Sequence, residues 1–163
     1  MASLSQREPR AIVRKYAGIV PTDTVDLVAV ASVDVTSEQE LFPIDHVFDG
    51  RMGPGGSCWI AETPGPQTIH LRFASASDFA RLVIESEERS VTCTQRIEVA
   101  CWSERRHQRA ETAPRVLEYA PYGPSFHQVT WELDERAVTD VWIHVTPMPR
   151  SHLASLTSVV FRR

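Results

Sequence analysis

The sequence has 163 residues and only three cysteines, Cys58, Cys93 and Cys101, with no C-x-x-C pair among them. An odd number without that spacing argues against a disulfide framework and against a structural zinc site. The thiols read instead as small apolar side chains, and Cys101, in phase with Ile97 and Val99, reads as facing inward. Long hydrophobic runs are missing too. None approaches the roughly 20 apolar residues of a spanning helix, so no membrane span is expected. The first residues, MASLSQREPR, lack the apolar stretch of a secretory signal, which reads as a cytoplasmic protein. There is no excess of positive charge either: the formal net charge is −4 and the pI about 5.9, which leaves no electrostatic footprint for nucleic acid.

Catalytic signatures are absent as well. No G-x-S-x-G elbow, H-E-x-x-H, H-x-H or His/Cys cluster occurs. The run Gly53-Pro54-Gly55-Gly56 lacks the lysine and the following helix of a phosphate loop. These gaps point away from an enzyme. No sustained 3.6-residue stripe, βαβ alternation or internal repeat is found, which excludes nucleotide-binding α/β folds and propellers.

What the sequence does contain is strand language. After a lead-in of residues 1–23, with the basic stretch QREPRAIVRKYAGIV and a break expected at Pro21, VDLVAVASVDVTSE begins a valine-rich run. The lead-in reads as an edge strand or packed extension, or else as an arm for an acidic partner. QTIHLRFA sets Ile69, Leu71 and Phe73 against His70 and Arg72. SASD then separates it from FARLVIESEE. TQRIEVACW sets Ile97, Val99 and Cys101 against Arg96, Glu98 and Trp102. RVLEYA, HQVTWELD, VWIHV and SLTSVVFRR follow between Pro/Gly turns, and one helical turn is expected near Pro43 to Phe48. Some eight or nine short strands at about ten-residue spacing are the mark of an all-β sandwich or barrel. Residues 24–163 read as one such domain behind an N-terminal extension, with enough chain for a single core.

Between the first strands lies FPIDHVFDGRMGPGGSCWIA, with four of the seven glycines, the turn-forming pair Asp49-Gly50, and Trp59. The segment Val47-Phe48-Asp49-Gly50, then Ser57, Trp59 and the strand Ile69-Leu71-Phe73 resembles the opening of the galactose-binding-domain-like (discoidin, coagulation-factor C-type) jelly rolls. The later runs fit that family's remaining strands in order. The resemblance implies an antiparallel eight-stranded jelly-roll β-sandwich with ligand sites in loops at one end. It implies a non-catalytic module that binds sugars, phospholipid surfaces or other proteins, and in some cases a subunit of a larger assembly. It also implies a structural calcium at the Asp-Gly loop, here Asp49 and Ser57. A serine in Leu156-Thr157-Ser158-Val159 stands about where relatives carry glutamate, which weakens that cation site. No other cofactor is expected.

Trp59 reads as core beneath the loop rather than as a sugar platform. His70 and His144 read as solvated residues on polar faces. Arg51, Arg72, Arg96, His127 and Trp142 are the candidate ligand-binding residues, because arginine beside an aromatic reads a sugar or an acidic group by forked hydrogen bonds and stacking. The expected function is recognition of a carbohydrate or similar polar ligand. The alternative is a protein-interaction or assembly subunit without a small ligand. For the latter, the acidic ESEERS (Glu85–Ser90) and the basic SERRHQR (Ser103–Arg109) offer complementary surfaces for self-association.

Overall fold

The structure, a computed structural model, describes residues 9–13 and 22–163. Most of the basic lead-in, Pro21 included, lies outside the described residues. Among the described residues there are ten strands: β1 (Arg10–Ala11), β2 (Ala31–Val35), β3 (Trp59–Ile60), β4 (Gln67–Glu87), β5 (Cys93–Ser103), β6 (Gln108–Glu111), β7 (Arg115–Tyr119), β8 (Phe126–Met148), β9 (Ser155–Leu156) and β10 (Ser158–Arg162). A 3₁₀ helix spans Ile44–Phe48, where one helical turn is expected, and a further single turn, α1 (Leu27–Val30), opens the valine-rich run. All pairings are antiparallel.

Two strands set the architecture. β4 runs for 21 residues and β8 for 23, so four of the expected short strands are the arms of two long ones. SASD, read in the sequence as a break, is where β4 bends. Its register with β8 slips between Arg72 and Ser77, again before Phe79 and again before Arg81. Such bulges coil a strand without ending its ladder, and the small side chains of Ala74 to Ser77 allow it. On β8 the same corner is turned by Asp134 and Ala137, both at positive φ (43° and 52°), a region that costs free energy for a residue with a side chain.

The first arm of β4 and the second arm of β8 form the middle of a broad layer ordered β1-β2-β4-β8-β5, with β6 and β7 sharing the far edge of β5. The remaining arms, with β10 on the free edge of β4, form a narrow layer. β3 and β9 make a separate short ribbon. The inward residues named by the alternation close the core: Ile69, Leu71, Leu82, Ile84, Ile97, Val141, Ile143 and Val145 are all fully buried. Each such side chain contributes roughly 1.5–3 kcal/mol of transfer free energy. Phe73, Phe79 and Phe161 fill the bend, with ring centroids 4.8–6.0 Å apart. Cys101 is buried, and burial pushes its thiol up to about 12. Cys58 and Cys93 are only half-buried, short of the full burial expected of them.

The lead-in joins the sheet through β1, which pairs with β2 (Arg10 opposite Val33). Arg10 bridges Asp45 at 2.7 Å and Glu38 at 3.1 Å, and Val13 N–H donates to Asp45. Among the described residues no helix is long and apolar enough to cross a membrane.

Candidate functional site

Strand alternation sends every second residue of the broad layer's central strands to its outer face, and antiparallel register lines them up in rows. One row crosses five strands, with Ser32 on β2, Arg72 on β4, Asp140 on β8, Trp102 on β5 and Arg109 on β6. The next row holds Asp34, His70, Trp142, Ala100 and Glu111; the third holds Thr68, His144 and Glu98. Arg96 belongs to a fourth row, opposite Thr146.

Within the first two rows the polar groups hold each other in place. His70 Nε2 donates to Asp140 Oδ1 at 2.8 Å, and the Thr139 hydroxyl donates to Asp140 Oδ2 at 2.8 Å. The His70 ring stacks on Trp142 with centroids 5.0 Å apart and planes 9° from parallel. From the opposite side, across the small Ala100, the Arg109 guanidinium lies 4.7 Å from the Trp142 ring centroid. Both faces of that indole are therefore covered, one by stacking and one by a cation–π contact. In the third row His144 Nδ1 and the Thr68 hydroxyl are 2.9 Å apart. Burial and then the neighbouring Arg109 lower the His144 pKa, outweighing the opposite pull of Glu98 and Glu111.

Two side chains in the first row, Trp102 and Arg72, donate no hydrogen bond among the described residues. Among the described residues Trp102, mostly buried but not sealed, has no stacking partner and no acceptor for its indole N–H. Arg72 approaches Asp140 only to 3.7 Å through Nε, beyond hydrogen-bonding range, and its side chain is 58% exposed.

The glycine-rich loop is arranged otherwise. Asp49 Oδ1 accepts Arg51 N–H at 2.9 Å, and Ser57 donates its hydroxyl to Asp49 Oδ2. Gly53 N–H donates to Glu85 at 2.9 Å and Gly55 N–H to Glu87 at 2.8 Å. Gln128 donates to the other oxygen of Glu85 at 2.8 Å. Trp59 is fully buried and donates to the Ser37 carbonyl, as core rather than platform. The loop is thus held by carboxylates that accept its own N–H groups. Calcium does not fit this donor set. It takes about six to eight oxygens, whereas Asp49 has both oxygens engaged, Ser57 acts as a donor, and the nearby glutamates face amides. Among the described residues no three His, Cys, Asp or Glu side chains converge as a metal site.

No family model matches the sequence, and no curated protein matches it. Solved structures do match in shape. A family 32 carbohydrate-binding module from C. perfringens NanJ, in complex with galactose, superposes with a TM-score of 0.63 at 13% identity, over 86% of this chain and 98% of that one. The fold is that of the galactose-binding-domain-like jelly rolls. A second Clostridium perfringens module, in complex with GalNAc-β-1,3-galactose, gives a TM-score of 0.55 at 13% identity over 82% and 95% of the two chains. A Streptococcus pneumoniae fucose binding module gives 0.55 at 11% identity over 81% and 93%.

On this jelly roll the five candidate residues are not one constellation. Arg72 and Trp142 lie in adjacent rows of the outer face, joined through Asp140 and His70. Arg96 shares the face but sits two rows beyond Trp142 and is paired with Glu98 at 2.8 Å. Arg51 lies in the glycine-rich loop, whose ties run to Glu85 and Glu87 on the other arm of β4. His127 is on the other arm of β8, donating to the Glu118 carbonyl at 2.6 Å with its ring edge-on to Tyr119. Trp142 is not the open stacking platform its outward position suggested, because both its faces are covered. Trp102, Asp140, His70 and Arg109 complete the cluster. The alternation R-I-E-V-A-C-W already put Trp102 on the outer face, in phase with Arg96 and Glu98. The charged stretches are also drawn into the fold: Glu85 and Glu87 hold the loop, Arg106 pairs with Glu135 at 3.4 Å, and Arg109 covers Trp142.

Proposed function

We propose that this protein is a non-catalytic carbohydrate-binding module whose ligand rests on the outer face of the broad layer. The observation that carries the reading is Trp102, a partly exposed indole with no stacked ring and no N–H acceptor among the described residues, flanked in its row by Asp140 and Arg109. A pyranose has an apolar C–H face that packs on such a ring, and hydroxyls at its rim that exchange hydrogen bonds with a carboxylate and guanidinium groups. His70, Thr139 and Trp142 fix Asp140 in position, so the polar part of the site is ordered before a ligand arrives and less freedom is lost on binding. The sugar complexes among the structural neighbours support the class of ligand. The two acids beside the central rows' arginines, Asp140 and Glu98, are engaged by His70, Thr139 and Arg96, which suits recognition rather than bond cleavage.

A glycan array followed by calorimetry on the best ligand tests this. Trp102→Ala is expected to weaken binding at least about tenfold while the variant still melts in one cooperative transition. No glycan bound, or a Trp102→Ala variant that binds as the parent does, would sink the proposal.

A further inference from the structure

Resting on the carbohydrate reading, we infer that the saccharide is anionic, with a carboxylate held by Arg72 beside the Trp102 platform. Every other arginine on the central rows lies closer to an acidic partner than Arg72 does to Asp140 (3.7 Å). Arg96 bonds Glu98 at 2.8 Å. Arg109 lies over Trp142 and 3.4 Å from Glu111. Arg72 donates no side-chain hydrogen bond among the described residues, and its nearest acid, Asp140, is already bonded by His70 and Thr139. A guanidinium presents parallel N–H donors in a planar fork, and the acceptor that matches two of them at once is a carboxylate; a neutral hydroxyl satisfies one.

Position agrees with this. Arg72 and Trp102 sit on next-but-one strands with Asp140 between them, about 10 Å apart at the backbone. An arginine side chain leaning along the face spans most of that gap, so a ring packed on Trp102 brings its carboxylate within reach of the fork. The charge of the row points the same way, since two guanidiniums, Arg72 and Arg109, bracket one carboxylate. Ala100, between Trp142 and Glu111 in the next row, keeps a bulky outward side chain away from Trp102 on its own strand.

The test is a matched pair of probes: an oligogalacturonide, and the same chain with its carboxyls reduced to primary alcohols. Calorimetry with the full chain is expected to show about a tenfold preference for the uronate form, diminishing as salt is raised. Arg72→Gln should bring the two probes to near parity. Arg72→Lys, which keeps the charge but loses the fork, should restore part of the preference. Arg96→Gln, outside the cluster, should keep all of it. Equal binding of both probes by the parent, or an undiminished preference in Arg72→Gln, overturns the inference and leaves the carbohydrate reading standing. Failure to bind either probe or any other saccharide on the array overturns both.

Discussion

The glycine-rich loop and the outer row of the broad layer are made of the same side-chain types, yet they end in opposite states. Each has a tryptophan, carboxylates and an arginine. In the loop, Trp59 is sealed in the core, and Glu85 and Glu87 accept the N–H groups of Gly53 and Gly55. On the row, Trp102 has no stacked ring and the Arg72 fork no hydrogen bond among the described residues, while Asp140 is held by its neighbours. The difference comes from the backbone. A glycine-rich loop has N–H groups that no ladder satisfies, so nearby acids turn inward to accept them. In a sheet the ladder satisfies the backbone, and side chains on the solvent face are left to bind other things. The more conspicuous sequence feature is therefore the structural one.

The largest effect that separates the two regions is on stability. Trp59→Ala removes a fully buried indole and its bond to the Ser37 carbonyl, and is expected to cost about 3–5 kcal/mol in urea or thermal unfolding. Trp102→Ala, at a side chain that keeps part of its surface in water, should cost less than Trp59→Ala in the same measurement while removing ligand affinity. Similar losses for the two substitutions would erase the distinction drawn here between a core indole and a binding indole.

Which parts of this were legible in the sequence follows from the range of the interactions. Alternation is local, so the inward set from Ile69 to Phe73 and the outward positions of Arg72, Arg96, Trp102 and Trp142 could be read directly. The resemblance around Asp49-Gly50 and Trp59 led to the right fold because it combines turn chemistry with strand order. The bend in β4 was not legible, since SASD has the composition of a turn and only pairing with β8 keeps it extended. The pairing of His70 with Asp140, 70 residues apart, depends on register between strands, which no local pattern encodes. For the same reason the coverage of Trp142 by Arg109, and the lack of a stacked ring on Trp102, emerged only from the assembled sheet.

A smaller effect concerns acid. The folded state lowers the pKa of His144, chiefly by burial and then by Arg109, so protonation favours the unfolded chain. The neutral imidazole's contribution is complete above the ordinary histidine value of about 6.5 and is lost as pH falls through and below it. Asp45 shifts downward in the folded state. Burial pushes it up, but the hydrogen bonds from Arg10 and Val13 N–H outweigh burial, so its contribution persists above the ordinary aspartate value and fades only in stronger acid. Two stages are expected in melting midpoint against pH: a shallow decline below about 6.5 that His144→Gln removes, and a steeper one below about 4 that Asp45→Asn removes. Because His144 keeps part of its surface in water, solvent screens the first stage and keeps it small. A first stage unaffected by His144→Gln would place the buried charge elsewhere on the sheet.

The smallest expected effect is the response to calcium, and it bears on the loop alone. A cation bound only by the folded state raises the melting midpoint in proportion to the logarithm of its concentration over Kd, so even a weak structural site shows at millimolar calcium. At the loop, the Asp49 oxygens are engaged by Arg51 N–H and Ser57, while Glu85 and Glu87 accept Gly53 and Gly55 N–H. A calcium ion would have to break several of these bonds to gather its ligands, and would leave glycine N–H groups unpaired in return. Melting scans in millimolar calcium and in excess chelator are therefore expected to coincide, and saccharide binding at Trp102 to be the same in both. A calcium-dependent rise that Asp49→Asn abolishes would show that the loop trades its internal bonds for a cation, and would make the loop, like the row, a site that responds to what is added.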